Sequence, residues 1–451
     1  MTKIISFIYL FFEITTITIA QEDSTKIKSD TLKLPFAIHD EKMLSEEDLA
    51  NKKEGTYVTG VPDLSSDPVN GFGYGAEGTI YFNGKKSDPF FKYTAYRAKI
   101  DVALFNTTKS QREIKVAVDI PYILDTKWRF RGEMAYEVNP NHLYFGINSQ
   151  TTVQGLSYYP NGDITQPLVT NASYSDYERS LTGINQFYNT YKKQEAILNI
   201  SMERSFMEGR LRTLVGFESA KLKLDPFPGN SLLQNDFNSG IIRGVGKNML
   251  TFVQLGLIYD SRDLETDASK GVFAELTNEL ALKALGSQFN FNKTFAHVNY
   301  YHKVLPSIFK KMVFAGRVAI GYTAGNSPFY EYQDQWSSEG SIEGLGGGKT
   351  LRGYKQCRYL DRVMQFNNFE LRYRFSQFTL LKQHIALSAV PFFDIGAVWN
   401  KGGDITKQLK NYRYNEGLGL RIAWNVNTIL RFDYAISKED HQFFFSLGHS
   451  F

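Results

Sequence analysis

The sequence predicts an all-β protein, a 16-stranded antiparallel transmembrane β-barrel with an inward-folded loop between strands 11 and 12. Three observations predict it. From about Gly75 onward, apolar and polar residues alternate through one segment after another. The apolar faces are unusually aromatic, and the segments run about nine to twelve residues, longer than the usual five or six. The opposite faces carry several Lys or Arg each, and such a charge on a lipid face near the midplane costs roughly 2–4 kcal/mol. The charges must therefore look into a wet lumen while the aromatics look out.

The first element in the chain is a predicted signal peptide, residues 1–20. Lys3 supplies the charge, Ile4 to Ile19 is largely apolar or Thr, and small residues precede Gln21. Glu13 interrupts the apolar region. Residues 21–70 are rich in Lys, Asp, Glu and Ser and read as a charged periplasmic lead-in segment, with one short helix expected near Ser45 to Lys52. The barrel itself is expected over 71–451. No later run approaches the ~20 apolar residues of a membrane helix.

Within the barrel the period is two. In 127–137, Trp128, Phe130, Gly132, Met134 and Tyr136 alternate with Lys127, Arg129, Arg131, Glu133 and Glu137. In 368–375, Phe369, Leu371, Tyr373 and Phe375 alternate with Asn368, Glu370, Arg372 and Arg374. No helical face fits this spacing, because residues two apart point to opposite sides of a helix. A soluble sandwich would also alternate, but the strand length and the aromatic faces favour the membrane. Candidate strands lie near 75–83, 95–105, 111–120, 127–137, 142–148, 194–204, 210–220, 251–260, 271–282, 291–304, 312–323, 364–375, 384–398, 414–424, 428–436 and 442–451. Long connections follow odd strands and short ones follow even strands, which matches long outer loops and short periplasmic turns.

Composition excludes several functions. The formal charge is +4, from 51 basic and 47 acidic residues, too mild for nucleic acid. One cysteine, Cys357, cannot make an internal bridge. No CxxC, HExxH or GxSxG motif occurs, so no metal, cofactor or catalytic residue is expected and the chain reads as no enzyme. Gly348-Lys349-Thr350 imitates the end of a phosphate-binding loop. That motif needs glycine at 343, where the chain has Glu343.

The same loop supports a different reading. Gly347-Gly348-Lys349-Thr350-Leu351-Arg352-Gly353-Tyr354 resembles the loop signature of the BamA/TamA superfamily of outer-membrane assembly and translocation barrels (the bacterial surface antigen family). Tyr259-Asp260-Ser261-Arg262-Asp263 with Lys270-Gly271 resembles the family's turn between strands eight and nine. Phe392-Phe393-Asp394-Ile395-Gly396 resembles its FxDxG strand, and Leu418 to Phe451 its closing strands. The resemblance implies that the loop folds inside and that its arginine meets carboxylates on the wall. By alternation Asp394 and Glu370 face the lumen, so Arg352 is expected to pair with Asp394 first and Glu370 second, in a loop-to-wall lock that also holds Gly353, which lets the backbone lie against the wall, and Tyr354. Phe443, Phe445, Leu447 and Phe451 resemble the C-terminal signal by which such barrels are recognised for assembly, and His449 is expected to face outward. The Gly-rich strand around Gly71 to Phe82 is expected to form a loose seam with the last strand.

One departure stands out. Family members that fold other barrels carry periplasmic POTRA repeats, and residues 21–70 are too few to hold one. The expected partners are outer-membrane lipid and either a polypeptide client or a periplasmic or outer-membrane protein partner. The implied role is insertion or translocation of polypeptides at the bacterial outer membrane. The alternatives are a passive pore ringed by Arg129, Arg131, Arg372 and Arg374, or a structural subunit of an outer-membrane complex.

Overall fold

The computed structural model describes residues 33–67, 71–147, 155–181, 185–380, 383–400, 411–425 and 428–451. The signal peptide expected over 1–20 and the start of the lead-in lie outside them. One antiparallel sheet of sixteen strands dominates, each strand paired with its neighbour in sequence. Its first half is β1 Thr56–Asp67, β2 Gly71–Phe82, β3 Ala98–Thr107, β4 Arg112–Ile120, β5 Trp128–Leu143, β6 Thr190–Phe206, β7 Leu211–Pro226 and β8 Gly246–Asp260. Its second half is β9 Gly271–Ala281, β10 Phe291–Lys303, β11 Met312–Gly325, β12 Val363–Leu380, β13 Gln383–Trp399, β14 Arg413–Trp424, β15 Thr428–Ile436 and β16 His441–Leu447.

The two faces of the sheet are those of a soluble protein turned inside out. Leu255, Leu257, Leu276, Val298, Tyr300, Val318 and Ile320 are exposed, while Gln254, Glu275, Glu279, Lys293, His297 and Arg317 on the same strands are buried. Ordinary proteins almost never fully bury such charges unless paired. Among the described residues no backbone ladder joins β1 to β16. The ends of the sheet nonetheless meet, since Thr428 Oγ1 donates to Thr59 Oγ1 at 3.3 Å.

Two details of the expected strand list are corrected. Thr56–Asp67, placed in the lead-in, is the first strand and pairs with β2 from Thr56↔Phe82 to Asp67↔Gly71. It lacks an aromatic stripe and carries Pro62, tolerated because an edge strand does not need every N–H in a ladder. Asn139-Pro140-Asn141, expected as a turn, lies inside β5 at an irregularity between Asn139 and His142. Pro140 has no N–H to donate there, and the Asn141 amide turns to Asn139 Oδ1 at 2.9 Å. One strand missed and one split in two cancel, so the loop carrying Arg352 still lies between β11 and β12.

Candidate functional site: the loop between β11 and β12

This loop lies against the polar face of the sheet. Its entry is a two-residue hairpin, Asp334–Gln335 with Ile342–Glu343. Farther along it is stitched to itself, with the Gly346 amide donating to Thr350 Oγ1 (2.9 Å) and that hydroxyl donating to Gly344 O (2.8 Å). Leu345, Leu351, Tyr354 and Tyr359 join Phe295, Met364 and Phe366 in one buried apolar cluster, which fastens the loop over β10–β13. Gly353 lies flat on β14 and the chain after β15. A Cβ there would stand 2.6 Å from Asn415 Cβ and 3.0 Å from the Ser437 amide nitrogen, so only glycine fits.

Between these contacts Arg352 enters the wall, with no exposed side-chain surface. Nε and Nη2 donate to the two oxygens of Asp394 at 2.9 and 2.8 Å. Nη1 donates to Glu370 Oε1 at 2.7 Å and Asp433 Oδ2 at 3.0 Å. The guanidinium carbon sits 3.5 Å from the Phe392 ring centroid. A planar fork suits this arrangement, one bidentate carboxylate and two further acceptors around it. The carboxylates come from β12, β13 and β15, so one side chain ties the loop to three strands.

The wall completes the network. Asp394 also accepts from Asn368 (2.7 Å) and Asn415 (2.9 Å). Glu370 accepts from Arg372 (2.8 Å) and Arg421 (3.2 Å), and Asp433 from Arg421 (2.5 Å). Asn368 reaches the loop as well, donating to Thr350 O at 2.7 Å. Arg317 donates to Lys349 O. Three carboxylates thus face Arg352, Arg372 and Arg421.

Arg352, Asp394 and Glu370 come together; Tyr354 donates to Tyr414 O (3.3 Å) instead of joining the charges. Asp433 was not anticipated, although it occupies a polar position in the alternation of β15. A second arginine of the loop also escaped notice: Arg358 donates to Glu439 at 2.5 and 3.1 Å, between the rings of Phe145 and Tyr359.

The C-terminus departs from expectation. Phe443 is 64% exposed, as an outward residue should be, but the period does not reach Phe451. β16 ends at Leu447, Gly448 turns the chain at φ +80°, and Phe451 lies on Arg317 and Arg372, its centroid 4.9 and 5.3 Å from their guanidinium carbons. His449, expected outward, is buried 3.3 Å from Asp267. The left-handed turn at Gly448, readily adopted only by glycine, moves the last residues onto the polar face.

Comparison with known proteins agrees with this geometry. The Omp85 superfamily domain matches residues 105–451. The chain belongs to the Omp85 superfamily. That superfamily is one of outer-membrane insertion and translocation, and a domain of unknown function, DUF5982, matches residues 34–97 ahead of it. CdiB from Escherichia coli is similar at 11% identity and a TM-score of 0.50, over 87% of this chain and 62% of that one. BamA from Haemophilus ducreyi lacking POTRA domains 1–3 gives 14% and 0.49, over 88% and 70%. CdiB from Acinetobacter baumannii gives 10% and 0.44, over 87% and 59%. The Omp85 chain thus spans about 60% of the CdiB chains, and at these identities the likeness concerns fold alone. No curated protein matches it.

Proposed function

We propose that the sheet closes into a barrel in the outer membrane and assists insertion or translocation of polypeptides there, with lipid and a protein partner at its rim. The observation that carries this reading is Arg352, drawn from a loop into three wall carboxylates. A loop bound by buried charge divides the polar face into a shaped passage, and moving a chain along it needs no cofactor and no covalent step. The junction of β1 and β16, held among the described residues by side chains such as Thr428 and Thr59 and by no backbone ladder, supports a sideways route into lipid, although the Gly-rich strand expected at that seam is β2, one place in from it. The C-terminal aromatic residues Phe443 and Phe445 with Leu447 serve, in this reading, as the chain's own assembly signal.

A passive pore ringed by arginines finds less support. Arg129 is paired with Asp119, Arg131 with Glu203, Arg372 with Glu370 and Arg374 with Asp267. Charges already neutralised by neighbours offer little to a passing anion. Depletion of the protein, followed by a census of other outer-membrane proteins, tests the proposal. A selective fall in some of them is expected; unchanged levels contradict an assembly role.

A further inference from the structure

The chain ahead of β1 touches opposite sides of the sheet. The Phe36 ring lies 5.6 Å from both Phe90, in the β2–β3 connection, and Tyr122, in the β4–β5 turn. The His39 amide donates to Glu208 O in the β6–β7 turn at 2.9 Å. Lys42 Nζ reaches Asp260 Oδ1, at the end of β8, at 3.1 Å. Leu44, 3% exposed, packs with Leu264 of the β8–β9 turn. After the helix Glu46–Asn51, Lys52 Nζ donates to Phe91 O and Thr94 O, each at 2.7 Å. Lys53 Nζ donates to Gln383 Oε1, at the start of β13, at 2.7 Å.

Every one of these partners stands at the end of the sheet where the connections follow even-numbered strands. The β4–β5 turn and the β12–β13 connection are eight strands apart in a sheet of sixteen. In a closed barrel those positions are diametrically opposed, so a segment touching both crosses the mouth as a chord. One cavity against it, of about 60 Å³, is lined by Lys42, Arg129, Arg212, Arg262 and Glu265. That space holds a few waters and no polypeptide.

We propose that residues 34–55 are an autoinhibitory seal over the turn-side mouth, held by Leu44 on Leu264 and Lys42 on Asp260, and displaced when a polypeptide enters. The inference rests on the closed barrel proposed above. The wall is built to survive displacement. Asp260 is also paired with Arg212 (3.3 Å) and Arg262 (3.1 Å), so departure of Lys42 leaves no carboxylate stranded. The seal has little regular structure of its own, a three-residue 3-10 turn and one six-residue helix, and such segments open at lower free energy than paired strands.

The test uses the full chain purified in detergent and fused into planar bilayers, comparing wild type with Leu44→Asp and, separately, Ile38→Asp, a second buried apolar residue of the segment. Trypsin cleavage after Lys42 or Lys52 reports detachment, and the mobility difference between unheated and heated protein on a denaturing gel reports the closed barrel. Wild type should resist trypsin and conduct rarely. Both variants should be cleaved and conduct about tenfold more often, because an unpaired carboxylate is costly to bury at either site. Variants that are cleaved and keep the mobility difference yet conduct no more than wild type overturn the seal. So do variants that stay resistant to trypsin, or a wild type already as conductive as they are. If the wild type shows no mobility difference, the closed barrel fails and the seal with it; an unchanged census after depletion would sink the assembly role and leave the seal standing.

Discussion

Arg352 matters through what its removal would leave behind. Glu370, Asp394 and Asp433 are all fully buried around it, and deleting one partner of a buried ion pair typically costs roughly 3–5 kcal/mol. Arg372 and Arg421 would still screen Glu370 and Asp433, but Asp394 would keep neutral donors alone, the side-chain amides of Asn368 and Asn415 and the backbone N–H of residue 352. Arg352→Ala should therefore lower the temperature at which the folded, fast-migrating form is lost. Arg352→Lys should lower it less, since an ammonium restores charge without the fork that spans both Asp394 oxygens. Equal transition temperatures for wild type and both variants would show that the contact contributes nothing to stability.

At the scale of elements, the N-terminal segment has its own pH dependence. Burial pushes the Lys52 ammonium down to about 7. A docked value below the ordinary one means that the docked segment binds fewer protons than the free one. Docking should therefore be weakest below pH 7 and strengthen as pH rises from 7 toward 10. Trypsin sensitivity at Lys42 should fall over that window, and Lys52→Met should flatten the dependence; a flat wild-type profile would contradict it. Little of this segment was legible beforehand, because its charges and serines look like solvated lead-in and its apolar anchors are single residues. The strands were legible wherever an aromatic stripe ran unbroken, as in the part of β5 before Asn139 and in β12. β1 was not, since Gly60, Pro62 and the serines at 65 and 66 give no alternation. The partners Asp394 and Glu370 followed from which way alternating residues point. Asp433 did not, because the stagger between β13 and β15 decides which polar residues share a level, and alternation along one strand carries no stagger.

Across the whole molecule, stability comes from an arrangement that would be perverse in water. Apolar side chains such as Leu255, Val298 and Val318 face outward, while arginines and carboxylates pair on the other face. The proposed barrel accounts for it, with lipid on the first face, the second face enclosed and no free edge in the bilayer. The inner pairs run from strand to strand, to loop and to turn: Arg131 with Glu203 and with Ser338 O, Arg129 with Glu265, Arg374 with Asp267. In the passage proposed above, charges paired in this way would present little field to a polypeptide of either sign.

Closure of the sheet is the proposal beneath both the passage and its seal, and the contact between Thr428 and Thr59 is the place to test it. With Cys357, the sole native cysteine, replaced by serine, Thr59→Cys and Thr428→Cys can be oxidised in isolated outer membranes. An intramolecular disulfide within one chain, formed in the membrane and reversed by reductant, is the predicted result. Cysteines that stay free, or that link only between two chains, would contradict a closed barrel.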